Sequence, residues 1–341
     1  MDFYNNTPYS AHLFRGVIRE NRMFASLACR ITYDIIAGEL VFAEQQPWPV
    51  SPGPWDSPQG PFAPDEVFYR GGADFFVFGN ATAPTNRPQQ RIDVSLEVGM
   101  QFKRTLAVFG DRVWEKRGKE IVASAPKPFS TMPMTMANAY GGKDVWDELD
   151  MPFAANPDGK GYCFNDENVI GTRLPNIEDP AKLIATWRDQ PEPVGCAAPS
   201  PVWAVKVQHF CEFNMQTGEL KKIDPRLFNT CFPDMIITKR LVLPGDEVRI
   251  TGMRANGPLK FLIPPNPLAV QVWIDDFCHA GVPVVDQIGV EVELNRAFVT
   301  YRYPFRYEIV PLEKRSCLLV PAGTGTNELP LGHTPRARNQ V

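Results

Sequence analysis

Several features that usually announce a function are missing from this sequence. None of its 341 residues fall in an unbroken apolar run of roughly 18, the length a membrane-spanning helix needs, so no membrane span is expected. Positive charge is not in excess: 35 lysines and arginines stand against 39 aspartates and glutamates, a formal net charge of −4. A chain held on nucleic acid by its phosphates needs a basic footprint, so direct nucleic-acid binding is not expected. Histidine is scarce, and His12, His209, His279 and His333 lie far apart, outside HExxH and deaminase spacings; no metal centre is expected. The seven cysteines are scattered, odd in number and without a CxxC pair, which favours reduced thiols over a disulfide framework. The start, MDFYNNTPYS, has neither the basic nor the apolar region of a secretory signal, so a cytoplasmic location is expected. No GxSxG elbow, Walker A loop or GxGxxG occurs, and no catalytic residue or cofactor is assigned.

Helical spacing is scarce as well, and proline supplies a reason. The chain holds 34 prolines, about one residue in ten and roughly twice average usage. Proline is excluded from helix interiors and central strands, so short strands joined by long stiff loops are expected. The segment Pro47–Pro64 (PWPVSPGPWDSPQGPFAP) concentrates seven prolines in eighteen residues and reads as a surface loop packed by Trp48 and Trp55, or as a ligand for a partner.

The clearest local pattern is at Arg91–Val98, where Ile92, Val94, Leu96 and Val98 alternate with polar residues as a half-buried strand requires. Gly99-Met100 suits a type II′ turn, and Phe102, Leu106 and Val108 continue on the return strand with Arg104 breaking the pattern. Further strands are expected within Phe24–Ile36, Phe68–Gly79, Ile236–Leu243 and Arg296–Glu308, with Asn295 as a hairpin residue and Pro244-Gly245-Asp246 as a turn. One helix is expected: Asp179 as N-cap, Pro180 at the first position, then Ala181–Trp187. These elements predict an all-β protein, two packed β-sandwich-like lobes with few short helices and long proline-rich loops. The expected divisions are an N-terminal lobe over 1–142, a polar connector over 143–193, a C-terminal lobe over 194–320 and a flexible tail over 321–341.

Reactive side chains are present without a catalytic spacing. Asp275-Asp276-Phe277-Cys278-His279 reads as loop acids beside a buried thiol, since strand neighbours point to opposite faces. Glu291 and Glu293 are placed on one strand face, the arrangement a glycosidase would use, although such pairs are routine on exposed hairpins. The strand Phe298–Tyr307 interleaves arginines with aromatics. It reads as an edge strand guarded by Arg302, Pro304 and Arg306, and as a surface suited to a protein partner.

An ordered set of blocks carries a resemblance. These are Asn6-Thr7-Pro8; Arg91–Val98; Lys103–Trp114 with its FGDRVW; Ala125–Phe129 through Met132-Pro133; Ala139-Tyr140-Gly141-Gly142; and Leu174–Pro180, an LPNxEDP segment. Phe228-Asn229, Pro244-Gly245-Asp246 and Leu259–Pro264 follow. Together they resemble the domain of unknown function 2169 family, accessory proteins associated with bacterial type VI secretion, from about Asn6 to about Leu319. One departure is Pro201–Lys206, which lacks the arginine of a Trp-x-x-Arg stretch. The resemblance implies an adaptor or chaperone that binds a toxic effector in the cytosol and helps load it onto the VgrG spike, without turnover. It supplies no catalytic residues. The partner-binding residues expected are Trp48, Trp55, Phe298, Tyr301, Arg302, Tyr303 and Arg306, by strand addition along the expected edge. A β-sandwich carbohydrate-active or other hydrolytic enzyme using Asp275, Glu291 or Glu293, and a structural component of the spike, are the alternatives.

Overall fold

The structure is a computed structural model that describes residues 1–201 and 205–325. The end of the expected tail, 326–341, and residues 202–204 lie outside the described residues. No described helix is long and apolar enough to cross a membrane.

The longest ladder joins the Arg22–Ile36 strand to Arg296–Glu308, antiparallel from Asp34↔Arg296 to Arg22↔Glu308. Both strands are buried on two faces over their central residues, so burial runs almost unbroken along them although Arg30, Thr300 and Arg302 interrupt their apolar residues. They form the middle of a seven-stranded sheet. Its order is Ser10–Arg19, Arg22–Ile36, Arg296–Glu308, Val284–Glu291, Ala73–Phe78 and Ile236–Ile237, with Glu39–Phe42 on the far end of Arg22–Ile36. Ala73–Phe78 runs parallel to Val284–Glu291.

A five-stranded sheet is built on the expected hairpin, in the order Ile177–Glu178, Phe102–Phe109, Arg91–Val98, Glu247–Thr251, Leu259–Leu262. The hairpin closes at Val98↔Phe102, leaving a three-residue turn in which Gly99 adopts φ +53°. A four-stranded sheet orders Asp2–Asn5, Arg315–Pro321, Leu268–Ile274 and Phe277–Gly281. One face of the large sheet packs on both smaller sheets, giving the expected all-β sandwich construction. Leu27, Ile31, Phe75, Ile288 and Val299 meet Val94, Leu96, Leu106 and Ile250 from the five-stranded sheet, and Val270, Val272 and Leu319 from the four-stranded one. Burying each such side chain contributes about 1.5–3 kcal/mol.

Three expectations change. Strands from 1–142 and 194–320 interleave in the same sheets, Ala73–Phe78 beside Val284–Glu291 and Arg91–Val98 beside Glu247–Thr251, so the expected lobe boundaries do not separate sheets. The expected helix over Ala181–Trp187 is absent. Asp179 caps a single turn through Ala181 N (2.9 Å) and Lys182 N (2.9 Å), and Asp189 then captures the Ala185 and Thr186 amides, an alternative to helix pairing. The one described α-helix is the five-residue Lys206–Phe210.

The strand around Phe298–Tyr307 is interior, not an edge. Pro304 is tolerated there because its position falls beyond the last pair of the neighbouring strand, Val284↔Arg302. The Ile35 amide donates to Asn295 O and the Thr32 carbonyl accepts from Ala43 on the opposite side, so odd-numbered residues of Arg22–Ile36 bond the Arg296–Glu308 strand. Pro304, paired with Ser26, therefore lacks its donor on the side where no partner strand remains.

Candidate functional site

The second face of the large sheet is charged, and it is as buried as the first. Arg30 projects from Arg22–Ile36, Arg302 and Thr300 from Arg296–Glu308, Asp286 and Gln287 from Val284–Glu291, and Asp74 from Ala73–Phe78. The proline-rich segment lies over them, and the residues that follow it add Asp65 and Arg70. Arg30 Nη2 donates to Asp65 Oδ1 (2.5 Å) and to Gln287 Oε1 (2.8 Å), its Nε to Thr300 (2.8 Å) and its Nη1 to Pro49 O (2.7 Å). Arg302 Nε donates to Asp286 Oδ2 (2.8 Å), and its remaining nitrogens reach Ser26 Oγ, Val67 O and Asp65 O. Arg70 bridges Asp286 (2.9 Å) and Asp74 (3.0 Å) and donates to Phe228 O (2.7 Å).

Three arginines thus balance three aspartates, none of these side chains more than 5% exposed. Isolated charges could not be buried here, since desolvation costs several kcal/mol per ion unless pairing and hydrogen bonds offset it. Burial alone would raise the Asp74 carboxyl. The Arg70 charge and hydrogen bonds from Cys231, Asn229 and Thr230 overcome that and hold it below the usual carboxylate range. Because Pro49, Asp65 and Val67 are all bonded to the sheet's arginines, the network fixes the cover in place.

Most residues expected to meet a partner belong to this interior. Trp48 is 1% exposed, tilted against Phe298 at 4.5 Å and stacked on Phe78 at 5.5 Å, with its indole N–H on Glu291 (3.1 Å). Phe298, Tyr301 and Arg302 are equally buried, Tyr301 sharing a hydroxyl contact with Tyr33 (3.1 Å). Phe298, Tyr301 and Arg302 therefore offer no surface because their strand is interior, and Trp48 offers none because the proline-rich segment turns it inward onto Phe298 and Phe78. Trp55 and Tyr303 are half-buried and Arg306 is exposed.

The carboxylates of the enzymatic alternative do not converge. Glu291 is buried and held by Arg296 (2.6 Å), Gln59 (2.6 Å) and Trp48; burial would raise it, and these bonds keep it below the ordinary range. Glu293 has left the strand for the turn and accepts from the Asn80 amide (2.8 Å), so the two glutamates do not share a strand face. Asp275 occupies a hairpin turn of the four-stranded sheet at φ +47° and accepts from Lys314 N (2.9 Å).

A second polar junction joins FGDRVW to LPNIEDP. Phe109 N donates to Asn176 O (2.7 Å), Asn176 Nδ2 to Phe109 O (3.0 Å), and Leu174 N to Arg112 O (3.0 Å). Arg112 ion-pairs with Glu178, donates to Pro175 O (2.8 Å) and covers the Phe109 ring at 4.1 Å. Gly110 is required by close approach: a Cβ there would stand 1.7 Å from Lys127 O.

Beside this junction is a cavity of about 370 Å³ lined by Tyr140, Ile177, Glu178, Asp179, Val194 and Asp234, among others. The buried Tyr140 hydroxyl has no hydrogen-bond partner there, and burial pushes the phenol up. Burial also raises Asp234 against the pull of Arg104, whose guanidinium bridges Asp234 (2.6 Å) and Asp179 (3.3 Å). In the sequence Asp234 carries no signal, and Tyr140 stands out as part of the Ala139–Gly142 block without a functional role. The available signal was Arg104, the charge that interrupts an otherwise apolar strand face. Among the described residues no three His, Cys, Asp or Glu side chains gather as a metal site would require.

No curated protein and no solved structure matches this chain. A family model does match, over residues 20–302, and the chain belongs to the family described as "Uncharacterized protein conserved in bacteria (DUF2169)".

Proposed function

We propose that this chain is a non-catalytic adaptor that binds a toxic effector in the bacterial cytosol and helps load it onto the VgrG spike of a type VI secretion machine. The observation that supports protein binding most is the two-stranded hairpin Lys143–Trp146/Leu149–Pro152. Val145, Trp146, Leu149 and Met151 on it are 44–65% exposed, while Trp146 stacks on Phe164 at 5.7 Å. A cluster of large exposed apolar side chains on a small hairpin marks a surface that gains from being covered. The type VI assignment comes from the family resemblance. Co-expression with a toxin encoded near the gene, which the proposal predicts to exist, followed by affinity capture and size-exclusion chromatography, tests it. A co-eluting complex lost on truncating the toxin's N-terminal region is expected; absence of a complex with toxin and with spike protein would overturn it, and a stable trimer of the chain alone would point to a spike component.

One observation favours a second function, hydrolysis or small-ligand binding at the Tyr140–Asp234 cavity: a carboxyl raised by burial beside an unpartnered hydroxyl is an arrangement common at reactive sites. A hydrolytic activity abolished by Asp234→Asn with folding intact would support it.

A further inference from the structure

The interior placement of Arg296–Glu308 moves the search for a strand-accepting edge elsewhere. The Ser10–Arg19 strand is ten residues long, borders the large sheet and, among the described residues, pairs on one side only. Its register is Ser10↔Arg30, His12↔Ala28, Phe14↔Ser26 and Gly16↔Phe24. Even-numbered residues of Arg22–Ile36 turn their backbone groups toward this side, as the Thr32 carbonyl bond to Ala43 shows. Strand alternation then directs the N–H and C=O of Ala11, Leu13, Arg15 and Val17 outward. No described hydrogen bond reaches them.

Charge and shape at the distal half specify what fits. Val17 and Ile18 are 68% and 49% exposed. Beside them a groove of about 460 Å³ is lined by Ile18, Arg19, Arg22, Arg306, Tyr307 and Glu308. The groove carries Arg19, Arg22 and Arg306 against Glu308, which pairs with Arg22 (3.0 Å). The exposed Arg15, which donates to Met1 O (2.8 Å), adds a further positive charge to the same strand, although the whole chain is net acidic. Edge arginines commonly prevent pairing with copies of the same edge, because two such edges bring like charges together. An acidic strand meets no such barrier.

We infer that the Ser10–Arg19 edge accepts an extended segment of the partner protein, one with apolar side chains facing Val17 and Ile18 and acidic residues facing Arg15 and Arg19. This rests on the adaptor function and names its docking edge. Main-chain bonds to Arg15 and Val17 supply affinity, and the arginine-rimmed groove supplies selectivity.

Hydrogen exchange on the complex with the toxin captured by co-expression tests it. The Arg15 and Val17 amides are expected to gain protection. Val17→Pro removes an outward donor without touching the hairpin's own ladder, and should weaken binding about tenfold, roughly the worth of one well-made hydrogen bond. The pair Arg15→Glu with Arg19→Glu should weaken it comparably and flatten its salt dependence, and this test holds even where the proline variant fails to fold. Protection confined to other surfaces, with both variants binding normally, would overturn the edge while leaving the adaptor function standing. Failure of the unaltered chain to bind toxin or spike protein would overturn both. A self-associated dimer abolished by Val17→Pro would assign the edge to a second copy and overturn the partner.

Discussion

The two faces of the large sheet are equally dry and are held by different forces. One carries Leu27, Ile31, Phe75 and Val299 against the smaller sheets; the other carries Arg30, Arg302, Asp74 and Asp286 under the proline-rich segment. An apolar face tolerates many arrangements of roughly the right volume, because dispersion and water exclusion are not directional. The charged face tolerates few, because each nitrogen needs an oxygen at a fixed place. Burial of apolar area drives the packing of the first face, and on the second the bonds from Arg30 and Arg302 to Pro49 O, Val67 O and Asp65 O fix where the cover sits.

Breaking a charge on the second face should cost most. Arg302→Ala leaves the buried Asp286 with Arg70 as its one arginine partner and takes the donor from Val67 O and Ser26 Oγ, and is expected to lose about 3–5 kcal/mol in urea unfolding. A loss below about 1 kcal/mol would mean the network is not holding the cover. On the first face Leu96→Ala, a fully buried truncation, should lose about 2–4 kcal/mol with the urea slope unchanged.

The faces should separate further with pH. Asp74 is held below its unfolded-state value, so its contribution is complete above about pH 4, the unfolded carboxylate range, and is lost as pH falls through the folded value. Asp74→Asn should lower stability by about 1–3 kcal/mol at neutral pH and flatten the acid limb, whereas Leu96→Ala should shift the whole curve down in parallel. Parallel curves for both variants would remove the distinction between the faces. The smallest effect belongs outside both: Arg22→Ala, deleting an exposed pair with Glu308 at 3.0 Å, should change stability by no more than about 0.5 kcal/mol.

What could be read from sequence divides along the same line. The Arg91–Val98 hairpin was legible because one buried face imposes period two, and the Asn295 and Pro244–Asp246 turns were legible from local backbone chemistry. The interior place of Arg296–Glu308 was not. Its arginines and Pro304 are the residues that guard edges, and only the pairing with Arg22–Ile36, far away in sequence, shows that Arg302 is a buried partner of Asp286. The same limit hid the Tyr140–Asp234 cavity, whose residues come from four separate segments, with Arg104 alone as a visible irregularity. Trp48 and Trp55 were correctly associated with packing of the proline loop, yet Trp48 is sealed beneath it.

Export measured in the native bacterium tests the adaptor function most directly. If the proposed function holds, a strain lacking this chain should still make the toxin it carries but should fail to deliver that toxin to the medium. The unaltered chain should restore export, and Val17→Pro should restore it poorly. Normal export without the chain would contradict the adaptor function outright.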